Sequence, residues 1–486
     1  ELPSWKMACP SVRRLHRAPL FGGARSASSQ ALVRTEQTQH RLSLLQRHPL
    51  EVNVLSNGVR VVTQRRSDVG SVSVGLFRKG GSEQETRATN GISGFLQRIQ
   101  QRGTTKHSAA ALCGKVAGIN GRVHTVNERQ YNGTLFRSPK EHVAENIALL
   151  AGMACNPALN KDDIEAERAS TLRTLQATQL DPEACLYDYL HDVAFQGTTL
   201  SLSPLGNTDG INSITQESLA NFARDSTIGE NLCLAVVGDV EHAEVMEAAE
   251  KHLQSIPAGK SVEFLPIRYS GSHVNVRDDD MGLCYTAIGF EAPAYGNADS
   301  LAMEAVRHIC GQYDRSCGAD ARHGLVRAAY DAHQWDYNVY AYCFKPFAFY
   351  YGTAGLFGTY IISHNPSQEA SFSYVSQDWH RIRHRCREAD VDRAKCEMKA
   401  ELALNTESTS GQVELMGKQL MTLGRAIPLH EMDQRIDNLH ADFVRTAMDE
   451  YFYDTDPVYA EMGHCETELD YHVVRRMMYL PDLPDQ

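Results

Sequence analysis

Two histidines in this 486-residue chain, His380 and His384, have the spacing of a helical metal clamp. Residues at i and i+4 lie one turn apart on one helix face, so two imidazoles there can bind the same Zn²⁺. No carboxylate lies between them, and four arginines surround them in the stretch 379–387, W-H-R-I-R-H-R-C-R. Because that positive field disfavours a dication, the pattern favours a basic helix face, with an anionic partner or a lipid headgroup as its candidate ligand.

A second candidate site lies in residues 90–105, which read N-G-I-S-G-F-L-Q-R-I-Q-Q-R-G-T-T. Apolar residues recur at i, i+3, i+4 and i+7 from Ile92, which predicts a helix with one buried face. Taken alone, the pattern indicates only an amphipathic surface helix. Its frame resembles the inverted zinc motif H-x-x-E-H of the pitrilysin/mitochondrial processing peptidase family, which N-G commonly precedes and G-T follows. On that frame the three functional positions are Gly94, Gln97 and Arg98.

The chemical groups of that motif are absent. Two histidines would hold the metal, and the glutamate between them would take a proton from the bound water. Gly94 has no side chain, the Gln97 amide is no base near neutral pH, and Arg98 has no lone pair to offer. The family's third ligand is a glutamate in I-E-x-E-R-x-x-x-L-x-E, whereas residues 164–174 read I-E-A-E-R-A-S-T-L-R-T, so Thr174 takes its place.

Three ligands and the base are therefore lost together. We predict no catalytic residue, no bound metal and no cofactor on this chain. We also expect a carboxylate to fill the former metal pocket and neutralise Arg98. On the edge strand that aligns substrate peptide in the family, R-V-H-T at 122–125 replaces N-A-x-T. A peptide adds to such an edge through backbone hydrogen bonds with side chains setting the fit, so an arginine there disfavours peptide binding as well.

The resemblance covers roughly 48–480 and is closest to the family members that form the core of the mitochondrial cytochrome bc1 complex. The matching segments are L-S-N-G-V-R-V (55–61), Y-L-H-D-V-A-F-Q-G-T (189–198), G-Q-Y-D (311–314), L-G-R-A-I-P-L (423–429) and Y-F-Y-D (451–454). The fold it implies is α+β, with two homologous domains that are each a mixed, mainly antiparallel β-sheet flanked by helices. The predicted division is 46–255, a linker at 256–272, and 273–486, in line with the proline- and small-residue-rich texture of the linker.

The function implied by the resemblance is that of a non-catalytic structural and assembly subunit of ubiquinol–cytochrome c reductase (complex III). Such a subunit is peripheral on the matrix side of the mitochondrial inner membrane. Its expected partners are a core protein 2-like subunit and the cytochrome b, cytochrome c1 and Rieske subunits, in a dimeric complex that can join a respiratory supercomplex. Two alternatives are a β-type subunit of a mitochondrial presequence-processing zinc peptidase and a free-standing peptide-binding module.

Charge is unevenly distributed along the chain. Residues 1–45 carry seven Lys/Arg against two acidic residues, a net +5 within a total of −12, so the rest of the chain carries −17. An acidic body gives no reason to expect nucleic-acid binding. The stretch from Met7, rich in Arg and Ser and free of acids until Glu36, is typical of a mitochondrial transit peptide, with a disordered basic tail as the alternative.

The twelve cysteines contain no C-x-x-C pair, which argues against a zinc ribbon or a redox motif and for reduced, mostly buried thiols. His464 and Cys465 are predicted to be a packed or surface pair, since no base and orienting group accompany them. The glycine-bearing stretch 309–318 does not follow a strand as a phosphate-binding loop requires, so we predict no nucleotide site there.

Overall fold

The computed structural model describes residues 49–261, 266–316, 324–325, 341–364, 367–465 and 470–479. The predicted leader, 1–45, lies outside the described residues. The α+β prediction is confirmed: two six-stranded mixed sheets are each flanked by helices.

The first sheet has the strand order β1-β2-β6-β3-β5-β4 and the second β7-β12-β8-β11-β10-β9. The strands of the first sheet are β1 (Leu50–Val54), β2 (Arg60–Arg65), β3 (Ser71–Lys79), β4 (Arg122–Asn127), β5 (Tyr131–Pro139) and β6 (Leu232–Gly238). Those of the second are β7 (His273–Arg277), β8 (Cys284–Ala292), β9 (Tyr313–Asp314), β10 (Ala341–Tyr350), β11 (Gly355–Ser363) and β12 (Val458–Gly463).

Fifteen α-helices lie in the part of the chain that the structure describes. Eight precede the segment 256–272: α1 (Ile92–Ile99), α2 (Ala109–Gly118), α3 (Val143–Cys155), α4 (Lys161–Thr178), α5 (Pro182–Ala194), α6 (Thr208–Ser213), α7 (Gln216–Ser226) and α8 (His242–Leu253). Seven follow it: α9 (Asp299–Cys310), α10 (Gln368–Arg385), α11 (Glu388–Glu407), α12 (Thr409–Thr422), α13 (Leu429–Asp437), α14 (Ala441–Tyr451) and α15 (Tyr471–Met477). None of these is both long enough and apolar enough to cross a bilayer.

The two sheets repeat one connectivity. In the first, β2 runs parallel to β6, which pairs antiparallel with β3, then β5 and β4. In the second, β7 runs parallel to β12, which pairs antiparallel with β8, then β11 and β10. The topological repeat thus accounts for the weak echo between the two halves of the sequence, and β1 and β9 are additions at opposite edges.

The β1–β2 hairpin illustrates how local sequence sets the register. Val54 lies opposite Arg60, and the turn between them carries Asn57-Gly58, as predicted. Gly58 has φ +92°, which a side chain would disfavour. The Leu55 amide donates to the Val59 carbonyl over 2.8 Å, which closes the turn.

Two helices pack on the sheet of the other half of the chain. Helix α5 packs on the second sheet, where Leu186 and Leu190 join a buried cluster with Leu356 and Val458. Helix α12 packs on the first sheet, where Val413, Met416 and Leu420 join a cluster with Val62, Phe77 and Cys233. Each sheet therefore has one apolar face covered by a helix from the other half, a relation that we term the helix exchange. The proposed bounds at 46, 255, 272 and 486 stay a prediction.

Candidate functional site

Helix α1 is held at its N-terminus by a buried carboxylate. Glu85 Oε2 accepts hydrogen bonds from the Gly91 amide and the Asn90 side chain, at 2.7 and 2.8 Å, and Oε1 accepts from the Ser93 amide at 2.7 Å. These bonds satisfy amides that a helix start leaves without intrahelical partners. Burial raises the pKa of Glu85 to about 7, although its hydrogen bonds and the nearby Arg78 oppose that shift.

Gly94 leaves room for a side chain from the neighbouring edge strand. A Cβ placed on Gly94 would lie 2.6 Å from Asn127 Nδ2 and 3.0 Å from the Pro204 carbonyl oxygen. Asn127, at the end of β4, donates from Nδ2 to that same Pro204 oxygen over 2.8 Å. The space into which a ligand at position 94 would project is thus filled by a polar side chain that is already hydrogen-bonded.

Gln97 serves as a structural crosslink. Its side chain is buried, and Nε2 donates to the carbonyls of Val126, at 3.0 Å, and Gly133. Both amide hydrogens are therefore committed to the backbone of β4 and β5. An ionised carboxylate at this position has no hydrogens with which to make these bonds. The link between α1 and strands β4 and β5 therefore requires the glutamine amide.

Arg98 reaches a hydroxyl on α4. Its Nη1 lies 3.4 Å from Thr171 Oγ1, and Thr171 in turn donates to Glu167 over 3.4 Å. Glu167 forms its ion pair with Arg102, at 2.7 Å. The expectation of a carboxylate directly against Arg98 is therefore wrong among the described residues: Arg98 contacts the Thr171 hydroxyl, and Glu167 beside that hydroxyl pairs with Arg102 instead.

Thr174 does not take part in this contact between α1 and α4. It is exposed, and its hydroxyl donates to the Ser170 carbonyl of its own helix over 3.1 Å. The face of α4 that meets α1 is one turn earlier, where Ile164, Glu167 and Thr171 are buried. Of the four degenerate positions, the fold groups 94, 97 and 98 on α1, and Thr174 remains at the surface.

Strand β4 is the free edge of the first sheet, as the resemblance implied for the strand that carries R-V-H-T. Among the described strands it pairs with β5 alone, and residues 122–124 are exposed. The register places Arg122 opposite Arg137, so two cationic side chains lie across from each other at the outer end of this edge. Like charges directly opposite are unfavourable, and they give this edge a local positive charge.

The histidine pair belongs to the second half and is packed. His380 is buried with Nε2 2.9 Å from the Met477 carbonyl, and its ring stacks on His384 with centroids 6.3 Å apart. Burial lowers the pKa of His380, so the ring is held neutral. One ring nitrogen is thus occupied by the backbone, which leaves the two imidazoles without the convergent geometry of a clamp.

The predicted basic face is largely neutralised, which corrects the expectation of a docking surface for anions. Arg381 pairs with Asp378 at 2.7 Å, and Arg387 pairs with Asp390 at 3.1 Å. Arg383 pairs with Asp449 at 2.6 Å and lies 3.6 Å from the centroid of the Tyr453 ring. Asp378 and Asp390 lie three residues from their arginines, whereas Asp449 on α14 is remote in sequence, and only that partner could not be found from the local pattern.

Two clusters escaped the sequence analysis. Cys284 and Cys465 bring their Sγ atoms within 3.0 Å although 181 positions separate them. Glu304, His308 and Glu401 are the one group of three or more acidic, histidine or cysteine ligands in the described residues close enough to share a metal. The i, i+4 spacing of Glu304 and His308 was a signal for the second cluster.

The two carboxylates of the Glu304–His308–Glu401 cluster are already paired with a guanidinium. Arg307 lies 2.6 Å from Glu304 and 2.5 Å from Glu401, and His308 lies 3.1 Å from Glu401. The guanidinium occupies the carboxylate oxygens with hydrogens, which leaves fewer lone pairs for a metal. We therefore assign this group to the packing of α9 against α11.

Comparison with known proteins places this geometry in context. Residues 60–208 match the family described as "Insulinase (Peptidase family M16)", and residues 213–398 match "Peptidase M16 inactive domain". "Cytochrome b-c1 complex subunit 1, mitochondrial" of Mus musculus is 28% identical, with 94% of this chain and 98% of that protein covered. "Mitochondrial-processing peptidase subunit beta" of Bos taurus is also 28% identical, with 96% and 93% covered.

Solved structures share the fold at lower identity. A chain of "Complex III2 from Candida albicans, Inz-5 bound" has a TM-score of 0.79 and 22% identity, with 89% of this chain and 100% of that chain covered. A protease from Helicobacter pylori has a TM-score of 0.74 and 19% identity, with 85% and 99% covered. Both domain descriptions of one family match in sequence order and together span most of the chain. The chain therefore belongs to peptidase family M16.

Proposed function

We propose that this chain is a non-catalytic core subunit of mitochondrial ubiquinol–cytochrome c reductase, complex III. One observation carries the non-catalytic part: Asn127 fills the space above Gly94, where a zinc ligand would project. A zinc site needs space for the ligands and side chains that donate electron pairs. Position 94 lacks the space, and positions 94, 97, 98 and 174 do not provide the histidine and carboxylate ligands. Complex membership is supported by the similarity to cytochrome b-c1 complex subunit 1 across nearly the whole of both chains.

The proposed partners follow from that membership. A core protein 2-like subunit pairs with this chain, and the two support cytochrome b, cytochrome c1 and the Rieske subunit from the matrix side of the inner membrane. The chain attaches peripherally, in keeping with the finding on its described helices. The assembly is dimeric and can enter a respiratory supercomplex, while this chain itself binds neither haem nor metal.

Membership of complex III is tested on a native gel. Mitochondria carrying a tagged copy of the full chain are solubilised gently, and the gel is stained for haem and probed for the tag. We expect the tag to migrate with cytochromes b and c1. A tagged species that runs as a soluble monomer would instead support the free peptide-binding module and exclude the complex III assignment.

The catalytic arm measures zinc and cleavage on the same purified material. We expect substoichiometric zinc and no cleavage of a presequence peptide, with or without a chelator. Stoichiometric zinc with chelator-sensitive cleavage would establish the alternative, a β-type subunit of a presequence peptidase. That alternative retains one specific argument, since the peptidase β subunit of Bos taurus is as similar in sequence as the complex III subunit of Mus musculus.

A further inference from the structure

A small cavity lies beneath the α1 helix, between the first sheet and α3. Its volume is about 30 Å³, and its polar lining residues include Arg78, Gln100, Asn132, Thr134 and Thr227. Apolar side chains of α3 and of strands β3 and β6 form the rest of the wall. One water needs roughly 10–15 Å³ of such space, so the cavity has room for about two water-sized bodies.

Arg78 brings a buried positive charge to this cavity. The residue is 8% exposed, and its guanidinium forms no hydrogen bond with another described residue, so its nitrogens have only the solvent that reaches the cavity as partner. The nearest aromatic face, Phe222, lies 5.9 Å away by ring centroid. Burial lowers the pKa of Arg78 to about 10, with Glu85 opposing the shift, so the side chain is charged at neutral pH. A buried charge without hydrogen-bond partners is costly.

Glu85 is the acid next to Arg78, but it does not form a hydrogen-bonded ion pair with the guanidinium. Its two oxygens already accept three hydrogen bonds from Asn90, Gly91 and Ser93 at the start of α1. With a pKa near 7, this carboxyl group carries only part of a negative charge at neutral pH. Positive charge therefore exceeds negative charge around the cavity.

The hydrogen-bond inventory is unbalanced in the same direction. Gln100 Nε2 is buried and has no acceptor among the described residues. Thr134 and Thr227 each bring a hydroxyl that can donate. The unpartnered acceptor is Asn132 Oδ1, on β5 directly opposite Arg78 in the sheet register. The threonine hydroxyls can donate or accept, so the excess of donors comes from the Arg78 guanidinium and the Gln100 amide against the single unpartnered acceptor, Asn132 Oδ1.

We propose that this cavity binds a compact monovalent anion, chloride in its simplest form, between the Arg78 guanidinium and the Gln100 amide. The anion accepts hydrogen bonds from both groups, and one water beside it donates to Asn132 Oδ1. The small volume favours a compact anion over sulfate, phosphate and carboxylates. This site is independent of the proposed assembly function, because it rests only on side chains inside the first half.

The test uses the full-length chain and compares halides with a bulky monovalent anion. Thermal unfolding is followed at constant ionic strength while sodium gluconate is replaced stepwise by sodium chloride or sodium bromide. A ligand that binds only the folded state raises the unfolding midpoint, and above its Kd the rise grows with the logarithm of the ligand concentration. We expect the midpoint to rise with chloride and with bromide but not with gluconate alone, and we expect Arg78→Met to lose the halide effect. Arg137→Met, on the exposed end of β5, is the matched control and keeps it.

A second readout covers the case in which Arg78→Met fails to fold. Gln100→Leu removes one donor and leaves the charge, and we expect it to need several-fold more chloride for the same rise in the unfolding midpoint. Crystals grown in bromide should show an anomalous peak beside Arg78. Two ordered waters without a bromide peak, or a halide response unchanged in Gln100→Leu and Arg78→Met, would overturn the proposal.

Discussion

Asn127 Nδ2 lies 2.6 Å from the point that a Cβ on Gly94 would occupy, and its hydrogen bond to Pro204 holds it there. The glycine on α1 and the asparagine on β4 thus have complementary shapes. The loss of the metal chemistry is more than a set of missing donors, because the cleft has been repacked around the smaller residue. Restoring a ligand would require this packing to be undone first.

A histidine at position 94 should destabilise the protein. Gly94→His forces Asn127 out of its place and breaks its bond to Pro204, and overpacking of this kind costs about 1–3 kcal/mol. Chemical denaturation at neutral pH measures the free energy of unfolding. Gly114→His is the matched control, because Gly114 is also helical and a Cβ there meets nothing within 4 Å. Equal stabilities for the two variants would show that the residues around Gly94 can move to accommodate a side chain and would contradict the prediction.

A carboxyl group at position 97 should be destabilising in a pH-dependent way. Gln97→Glu loses one or both donors to the Val126 and Gly133 carbonyls, which costs about 1–3 kcal/mol. Burial favours the protonated acid, which can still donate once, so the folded pKa of the new group is raised. Stability relative to the wild type then falls as pH rises above about 4.3, the unfolded value.

Urea unfolding at pH 5 and pH 8 measures this difference. Gln101→Glu on the adjacent, half-buried turn is the control, since its amide makes one long bond of 3.5 Å to the Gln97 carbonyl. We expect the control to show little change at either pH. A Gln97→Glu variant that is as stable as the control at pH 8 would mean that the strand carbonyls find other donors.

The Arg129–Asp188 pair should stabilise the region where α5 meets the first sheet. Arg129 is buried, donates to Asp188 over 2.6 Å and to the Leu200 carbonyl over 3.2 Å. Because Asp188 is partly exposed, we expect Asp188→Ala to cost about 2 kcal/mol rather than the larger cost of breaking a fully buried pair. The exposed pair Arg277–Asp279 is the control, and Asp279→Ala should cost less than about 0.5 kcal/mol. A comparable loss in both variants would contradict this assignment.

Glu83 should make stability depend on pH. Burial raises its pKa to about 7, against the opposing effects of its hydrogen bond with Gln130 and the charge of Lys79. A raised folded pKa means that the stabilising protonated form is present below pH 4.5 and is lost as pH rises through 7. Between those limits the wild type should lose about 3 kcal/mol relative to Glu83→Gln. Denaturation curves of the two proteins at pH 4.5, 6 and 8 measure it, and parallel pH profiles would refute it.

Local features of the fold were predictable and long-range ones were not. The hairpin at Asn57-Gly58 and the α1 stripe from Ile92 follow from turn chemistry and periodicity, which act over a few residues. Asn127 lies 33 positions from Gly94, and nothing in either local pattern states that they meet. Cys284 and Cys465 likewise meet only because β8 and β12 are neighbours. Periodicity reveals which helix face is buried, but not against which sheet.

Because of the helix exchange, the first sheet can be covered completely only late in synthesis. The first sheet keeps an apolar face that includes Phe77 open until Val413 and Met416 of α12 have left the ribosome. Close packing at that face relies on Gly417, where a Cβ would collide with the Phe77 ring. Most of the chain must therefore emerge before its earliest strands are fully covered, during which time exposed apolar surface invites aggregation or chaperone capture. Neither half is a unit that can be excised, and a truncated product should be a substrate for proteolysis rather than a working domain.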